Sequence, residues 1–145
     1  MKNKLYTLLK YSILFLIGGV LYYLIETVYK GLTSGVGSHW TMVVLGGICF
    51  TILGGYNEFL SWETPLWKQC TFGAIIVTIL EFITGCIVNL WLGWDVWHYE
   101  HLDVLGQICL PFSIIWFFLS AIAIILDDYL RYWLFNEEKP RYKLF

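Results

Sequence analysis

The sequence predicts an all-α membrane protein built as a bundle of four transmembrane helices. Apolar residues fill 59% of the 145 positions and charged residues only 14%, against roughly 25% charged in an average soluble domain. The mean hydropathy is +0.67, and a chain of this length cannot hide so much apolar surface inside itself. The sequence also contains four long apolar stretches, and a membrane-spanning helix needs about 20 such residues.

The four predicted spans cover about residues 8–28, 39–56, 70–92 and 107–126. We expect residues 1–135 to form a single four-span domain and residues 136–145 to form a charged cytoplasmic tail. Gly, Ser or Pro interrupts the first two connectors, as is typical of turns. The third connector, 93–106, is the longest, and we expect it to contain a short interfacial helix.

The distribution of basic residues predicts the orientation. Eight of the nine Lys and Arg residues fall on one side of the four-span arrangement, and only Lys30 falls on the other. Because cytoplasmic segments of membrane proteins carry the excess of Lys and Arg, we expect both termini on the cytoplasmic side of a bacterial-type plasma membrane. A formal net charge of -2 excludes a nucleic-acid-binding protein, which needs a basic surface.

Glu81 lies at the middle of the third span, where a carboxylate costs roughly 2.5–3.5 kcal/mol on insertion scales. Positions four residues apart share one helix face, and this spacing predicts a ridge with small neighbours: Gly73, Val77, Glu81, Gly85 and Asn89. Glu81 is either a protonated carboxyl that joins two helices or a group that acts on a solute or a proton. We favour the second interpretation, because carboxylates inside membranes are functional by default.

Other polar residues lie close to the ends of the spans. Glu26 and Lys30 can form an ion pair on one helix face, or Glu26 can bring a second carboxylate into the outer half of the membrane. We expect Asp127 and Arg131 to pair in the same way, and Asn57 and Glu58 to lie at a solvated helix end. The predicted substrate-binding set is Glu26, Glu81, Asn89 and Gln107.

The connector between the third and fourth spans contains two of the three histidines. Imidazole and carboxylate groups are zinc ligands, so the candidate metal-binding or catalytic residues are His98, His101 and Asp103. No HExxH or other standard zinc spacing supports that site. The alternative is an interfacial loop with its aromatic residues at the lipid headgroups, and we favour that alternative and predict no cofactor.

Three segments carry a resemblance to a known family. They are Leu24–Tyr29 (LIETVY), Glu81–Gly85 (EFITG) and Gly106–Ser113 (GQICLPFS), the last followed by Trp116. Over most of residues 14–118 the chain resembles the CmpB family of small multi-pass membrane proteins, which carry an ABC transporter permease label. The resemblance implies that Glu26, Glu81, Gln107 and the outer loop are motif positions. The sequence departs from the family pattern at His98, where an aspartate is expected, and at Asp103, where an asparagine is expected.

The sequence therefore predicts a transport-related, permease-like protein that binds a cation or a small polar solute in an outward-facing pocket around Glu81. Two alternatives stay open: a membrane-embedded enzyme acting on a lipid or isoprenoid headgroup at the outer interface, and a structural or accessory subunit. We favour a non-enzymatic role. The expected partners are the lipid bilayer and a homo-oligomer or another membrane protein. Because the chain has no Gly-rich phosphate-binding loop, ATP hydrolysis would require a separate ATPase.

Overall fold

A computed structural model describes residues 2–145, and it contains four helices long and apolar enough to cross a membrane. This confirms the predicted all-α, four-span class. The helices are α1 (Lys2–Thr33), α2 (Thr41–Gly54) with the short α3 (Tyr56–Phe59) after it, α4 (Leu66–Gly85) and α5 (Leu110–Phe135). They extend beyond most of the predicted apolar stretches because polar flanking residues continue the helices. The division into one domain and a tail stays a prediction.

The chain forms two compact units, which we describe separately. The N-terminal unit comprises the chain up to Phe59 together with Ala123–Pro140. The central unit comprises Leu60–Ile122 together with Arg141–Phe145. The first part of α5, up to Ile122, therefore belongs to the central unit, and the part from Ala123 onward belongs to the N-terminal unit.

In the N-terminal unit, glycines allow α1 and α2 to pack closely. A Cβ atom on Gly18 would lie 2.2 Å from the Phe50 ring, and one on Gly19 would lie 2.3 Å from the Val43 carbonyl oxygen. On α2, Gly47 faces the Phe15 ring in the same way. Small residues let helix backbones approach each other in a membrane, so these glycines determine the spacing of the two helices.

In the central unit, α4 buries the face that the sequence predicted. Its buried residues include Gly73, Val77, Glu81 and Gly85, which are four residues apart along one ridge. After Gly85 the helix continues as a π-helix over Cys86–Trp91, a rare element that is frequent at functional sites. Asn89 lies in this π-helix and is half-buried.

The predicted interfacial helix between the third and fourth spans is wrong. Between the π-helix and α5 the chain forms two short antiparallel strands, β1 (Asp103–Val104) and β2 (Ile108–Cys109). Positive φ angles at Gly93, Asp95, Leu102, Leu105 and Gly106 prevent a continuous helix here, because right-handed helices require negative φ. Gln107, which we placed at the start of the fourth span, lies in this loop instead.

Candidate functional site

The Glu81 carboxylate is buried in the central unit, with 5% of the residue exposed. Its Oε1 accepts a hydrogen bond from the Tyr99 hydroxyl at 2.6 Å. Its Oε2 accepts one from the Trp116 indole N–H at 2.9 Å. The site therefore joins three parts of the unit: the middle of α4, the outer loop and the first half of α5. Sequence reasoning identified Glu81 correctly as a buried polar residue but did not identify its two aromatic partners.

Aromatic rings and hydroxyls surround this carboxylate. The Tyr99 and Phe112 ring centroids lie 5.1 Å apart, and those of Phe112 and Trp116 lie 6.1 Å apart. Three residues before Glu81 on α4, the Thr78 hydroxyl donates to the Ser113 hydroxyl at 3.1 Å. Hydrogen bonds of this kind join membrane helices directly, so α4 and α5 are linked at two neighbouring levels.

The two amides of the predicted binding set hold the outer loop. The Asn89 Nδ2 donates to Gln107 Oε1 at 2.8 Å, and the Asn89 Oδ1 accepts from the backbone N–H of Val96 at 2.7 Å. The Trp97 indole N–H donates to the Gln107 backbone carbonyl at 2.9 Å, and Gln107 Nε2 donates to the Leu105 carbonyl at 2.8 Å. The structure thus brings Asn89 and Gln107 together as a clamp on the backbone of the loop.

The histidines of the outer loop do not form a metal centre with their neighbours. His98 and His101 are exposed. Asp103 accepts a hydrogen bond from the backbone N–H of Gly106 at 2.7 Å, and the His98 ring occupies the space where a Gly106 Cβ would lie. Within residues 2–145, no group of three or more His, Cys, Asp or Glu side chains is arranged to hold a metal ion. Asp103 and His98 instead shape the turn at Gly106.

Glu26 lies in the N-terminal unit, near the end of α1. It forms the predicted ion pair with Lys30, with an N···O distance of 3.3 Å. The Ser38 hydroxyl donates to its other oxygen at 2.6 Å. Glu26 therefore joins the last turns of α1 to the chain just before α2, and this contact gives the residue a structural role at that turn.

A network of charged groups in the N-terminal unit was missed by the sequence analysis. Arg131 lies at its centre: its Nε contacts the Asp127 carboxylate at 2.6 Å, and its Nη1 donates to Glu58. Lys10 contacts Glu137 at 2.5 Å and Glu58 at 3.5 Å. The prediction of a pair between Asp127 and Arg131 is confirmed. Glu58 is exposed, as predicted, but it also forms ion pairs with Lys10 and Arg131 that the sequence did not predict.

Asn57 and Gly54 complete the network. The Asn57 amide donates to the Asp128 carboxylate. Asn57 is half-buried, so it belongs to the packed network, and the solvated end expected for this residue is wrong. A Cβ on Gly54 would lie 2.1 Å from the Asp127 side chain, which shows how closely α2 approaches this carboxylate. The only sequence signal for the network was the concentration of charged residues near the ends of two apolar spans.

Cys109, just before α5, reports on the electrostatics near Glu81. Burial raises the pKa of the Cys109 thiol above its ordinary value of 9.0, and the negative charges of Glu81 and Asp103 raise it further, although a backbone hydrogen bond with Phe112 lowers it. A raised pKa leaves less of the reactive thiolate at neutral pH, so Cys109 is a poorly reactive thiol.

Comparisons with known proteins agree with the resemblance of the sequence motifs. None of the curated proteins and none of the solved structures matches the chain. A family model matches residues 13–142, which include Glu81, the outer loop and all of the charged network except Lys10. The chain therefore belongs to the CmpB family, which is described as "Putative ABC-transporter type IV".

Proposed function

We propose that this protein is a permease-like transport protein that binds a cation or a small polar solute in an outward-facing pocket around Glu81. Glu81 exchanges this solute, or a counter-ion, for a proton. The family description supports a transport-related membrane protein, and Glu81 lies on α4, one of four helices long and apolar enough to cross a bilayer. The arrangement of hydrogen bonds at Glu81 is the single observation that supports the exchange.

The two partners of Glu81 differ in what they can do. An indole N–H can only donate a hydrogen bond, whereas a phenol can either donate or accept one. In the charged state both oxygens of Glu81 accept, one from each partner. When a proton binds to Oε1, the carboxyl donates to the Tyr99 oxygen while Trp116 continues to donate to Oε2. The same site therefore accommodates both protonation states without moving a helix.

Asn89 and Gln107 contribute to this proposal as positioning residues. Their hydrogen bonds hold the loop segment that carries Tyr99, and the backbone N–H of Tyr99 donates to the Gly106 carbonyl at 2.8 Å. A role for Glu26 in solute binding stays a prediction from the sequence alone. With both termini in the cytoplasm, as the basic residues predict, the loop faces the outside and its release opens Glu81 toward that side.

The proposal includes partners. The family description names an ABC transporter, and the sequence has no phosphate-binding loop, so ATP-driven transport would need a separate ATPase. A four-helix unit encloses little space for a solute, which supports assembly into a homo-oligomer. Chemical cross-linking in the native membrane tests this: a dimer band supports the homo-oligomer, and a monomer at all cross-linker concentrations contradicts it.

A cation–proton exchange assay tests the function without knowledge of the substrate. Purified protein is reconstituted into vesicles with an acidic interior, and a pH-sensitive dye reports proton efflux after the addition of sodium, potassium, lithium, methylammonium or choline. We expect at least one cation to release protons in the wild type. Glu81→Gln should abolish this release, because an amide does not titrate, while Glu63→Gln changes a highly exposed carboxylate and should have no effect.

Two results would contradict the proposal. One is normal exchange by the Glu81→Gln variant. The other is a wild-type protein that is folded in the vesicles and releases no protons with any cation or with neutral polar solutes.

A further inference from the structure

We propose that a file of water molecules lies between α4 and α5 and carries protons between Glu81 and the end of the central unit at Thr64. This inference rests on the proposed function, because it supplies the route by which the Glu81 proton reaches the side opposite the outer loop. Two buried polar atoms without a partner indicate where the water molecules bind: the Ser120 hydroxyl and Gln69 Oε1.

The Ser120 hydroxyl behaves unlike several other helix hydroxyls of this chain. Thr7, Thr33, Thr51 and Thr71 each donate to the backbone carbonyl four residues earlier, at 2.8–2.9 Å. This bond is the usual way in which a helix satisfies a Ser or Thr side chain. The Ser120 hydroxyl has no partner although the residue is only 1% exposed, so it is available to a ligand that lies beside α5.

Gln69 presents a second site of the same kind on α4. Its Nε2 donates to the Thr64 carbonyl at 3.2 Å, but its Oε1 has no partner and the residue is 1% exposed. An unsatisfied buried polar atom costs about 1–3 kcal/mol, and buried water molecules usually remove that cost. Thr64 itself is half-buried, so a water chain at Gln69 can reach the surface there.

The spacing of the polar groups fits such a file. The file of water molecules begins at Glu81 and at the Thr78–Ser113 hydroxyl pair. Ser120 lies seven residues after Ser113 and therefore on the same face of α5, about 10 Å further along the helix. Three or four water molecules at ordinary hydrogen-bond spacing cover about that distance. Gln69 then connects the file to Thr64.

Proton movement along the file balances at every step. The Glu81 carboxyl gives its proton to the first water, which passes one of its own protons to the next, and the last water releases a proton at Thr64. Each water and each hydroxyl keeps its original number of protons, and Glu81 becomes a carboxylate. The titratable side chains of the central unit near this route include Tyr99 and Cys109 at the Glu81 end and Cys70 beside Gln69. At the Thr64 end they include Lys68 and the Glu63–Lys143 pair.

Infrared spectroscopy of the reconstituted protein tests the file. The carbonyl band of protonated Glu81 is identified as the band that the Glu81→Gln variant lacks. Vesicles are then diluted into heavy water, and the shift of this band reports how fast the carboxyl proton exchanges. Ser120→Ala and Gln69→Leu should each slow the exchange by about tenfold, the effect of one missing hydrogen bond in the file.

Two further variants keep the test specific. Thr71→Val removes an exposed hydroxyl that is bonded to its own helix and should leave the exchange rate unchanged. Ser120→Thr keeps a hydroxyl at this position, so the Glu81 carboxyl proton should exchange at close to the wild-type rate. This variant separates the loss of the hydroxyl from a packing defect. If both Ser120→Ala and Gln69→Leu exchange at the wild-type rate, the file is overturned while the proposed function stands. If no Glu81 band exists at any accessible pH, both proposals are overturned.

Discussion

The two units of the molecule bury carboxylates in contrasting ways. In the N-terminal unit, Asp127 is 0% exposed and lies against the guanidinium of Arg131, which also contacts Glu58. In the central unit, the buried Glu81 is held by a phenol and an indole. The Asp127 carboxylate is paired with a permanent cation, and that pairing favours its charged form. A carboxylate held by neutral donors can change its protonation state, as the exchange proposed for Glu81 requires.

The largest effect is expected from breaking the charged network. Arg131→Met leaves the fully buried Asp127 beside an apolar chain, and we expect a loss of about 3–5 kcal/mol in the free energy of unfolding. Thermal unfolding of the purified protein in detergent measures this loss. Lys139→Met, which changes an exposed cation, serves as the control and should cost little.

The same measurement on Glu81→Gln sharpens the contrast between the units. The amide can accept from Trp116 and donate to Tyr99, so we expect a loss of about 1 kcal/mol or less. A Glu81→Gln variant as unstable as Arg131→Met would show that both carboxylates are structural.

A pair of glycine substitutions tests how tightly α2 packs against Asp127. In Gly54→Ala the new methyl group would overlap the Asp127 carboxylate, and overpacking of this kind costs about 1–3 kcal/mol. Gly31→Ala, on α1, is the matched control because a Cβ there meets nothing within 4 Å. Gly31→Ala should raise the free energy of unfolding by up to about 1 kcal/mol, because Ala favours the helix over Gly. Equal unfolding temperatures for Gly54→Ala and Gly31→Ala would contradict the packing of α2 against Asp127.

An effect confined to one segment of the chain is expected at the outer loop. Asn89→Ala removes the bonds to Gln107 and to the Val96 backbone, and we expect the loop to open more often by about 1–3 kcal/mol of local free energy. Hydrogen exchange of the Val96 amide reports this opening. His101→Ala, at an exposed loop position, is the control and should leave the exchange rate of the Val96 amide unchanged. An unchanged rate in Asn89→Ala would contradict the role of the amide clamp.

The smallest effect concerns the Cys109 thiol. The charge of Glu81 contributes to raising the pKa of Cys109, so Glu81→Gln should lower that pKa and increase the thiolate fraction at a given pH. The rate of maleimide modification of Cys109, followed by peptide mass spectrometry against pH, should then rise at a lower pH than in the wild type. A shift of the profile toward higher pH would contradict the electrostatic assignment.

The sequence predicted the local features of this molecule better than the distant ones. The buried ridge of α4 and the pair between Asp127 and Arg131 follow from helical periodicity, and both are confirmed. The roles of Asn57 and Glu58 were missed because their partners, Asp128 and Arg131, lie 71 and 73 residues away in the chain. Periodicity contains no information about such pairs.

The outer loop was mispredicted for a related reason. We expected a short interfacial helix in this connector, but positive φ angles and the hydrogen bonds that Asn89 and Asp103 accept from backbone N–H groups determine its path. Side chains that bond to the backbone compete with helix formation. Tyr99 reaches Glu81 across 18 residues, and only the folded chain reveals that contact.

The most direct test of the role of Glu81 is an infrared titration of its carboxyl band in the absence and presence of the cation that drives proton release. We predict that the wild type shows a reversible titration that is missing in Glu81→Gln, and that the cation shifts its midpoint to lower pH because proton and cation compete for one carboxylate. A titration midpoint that no cation or solute changes would contradict the exchange of a bound solute for a proton at Glu81.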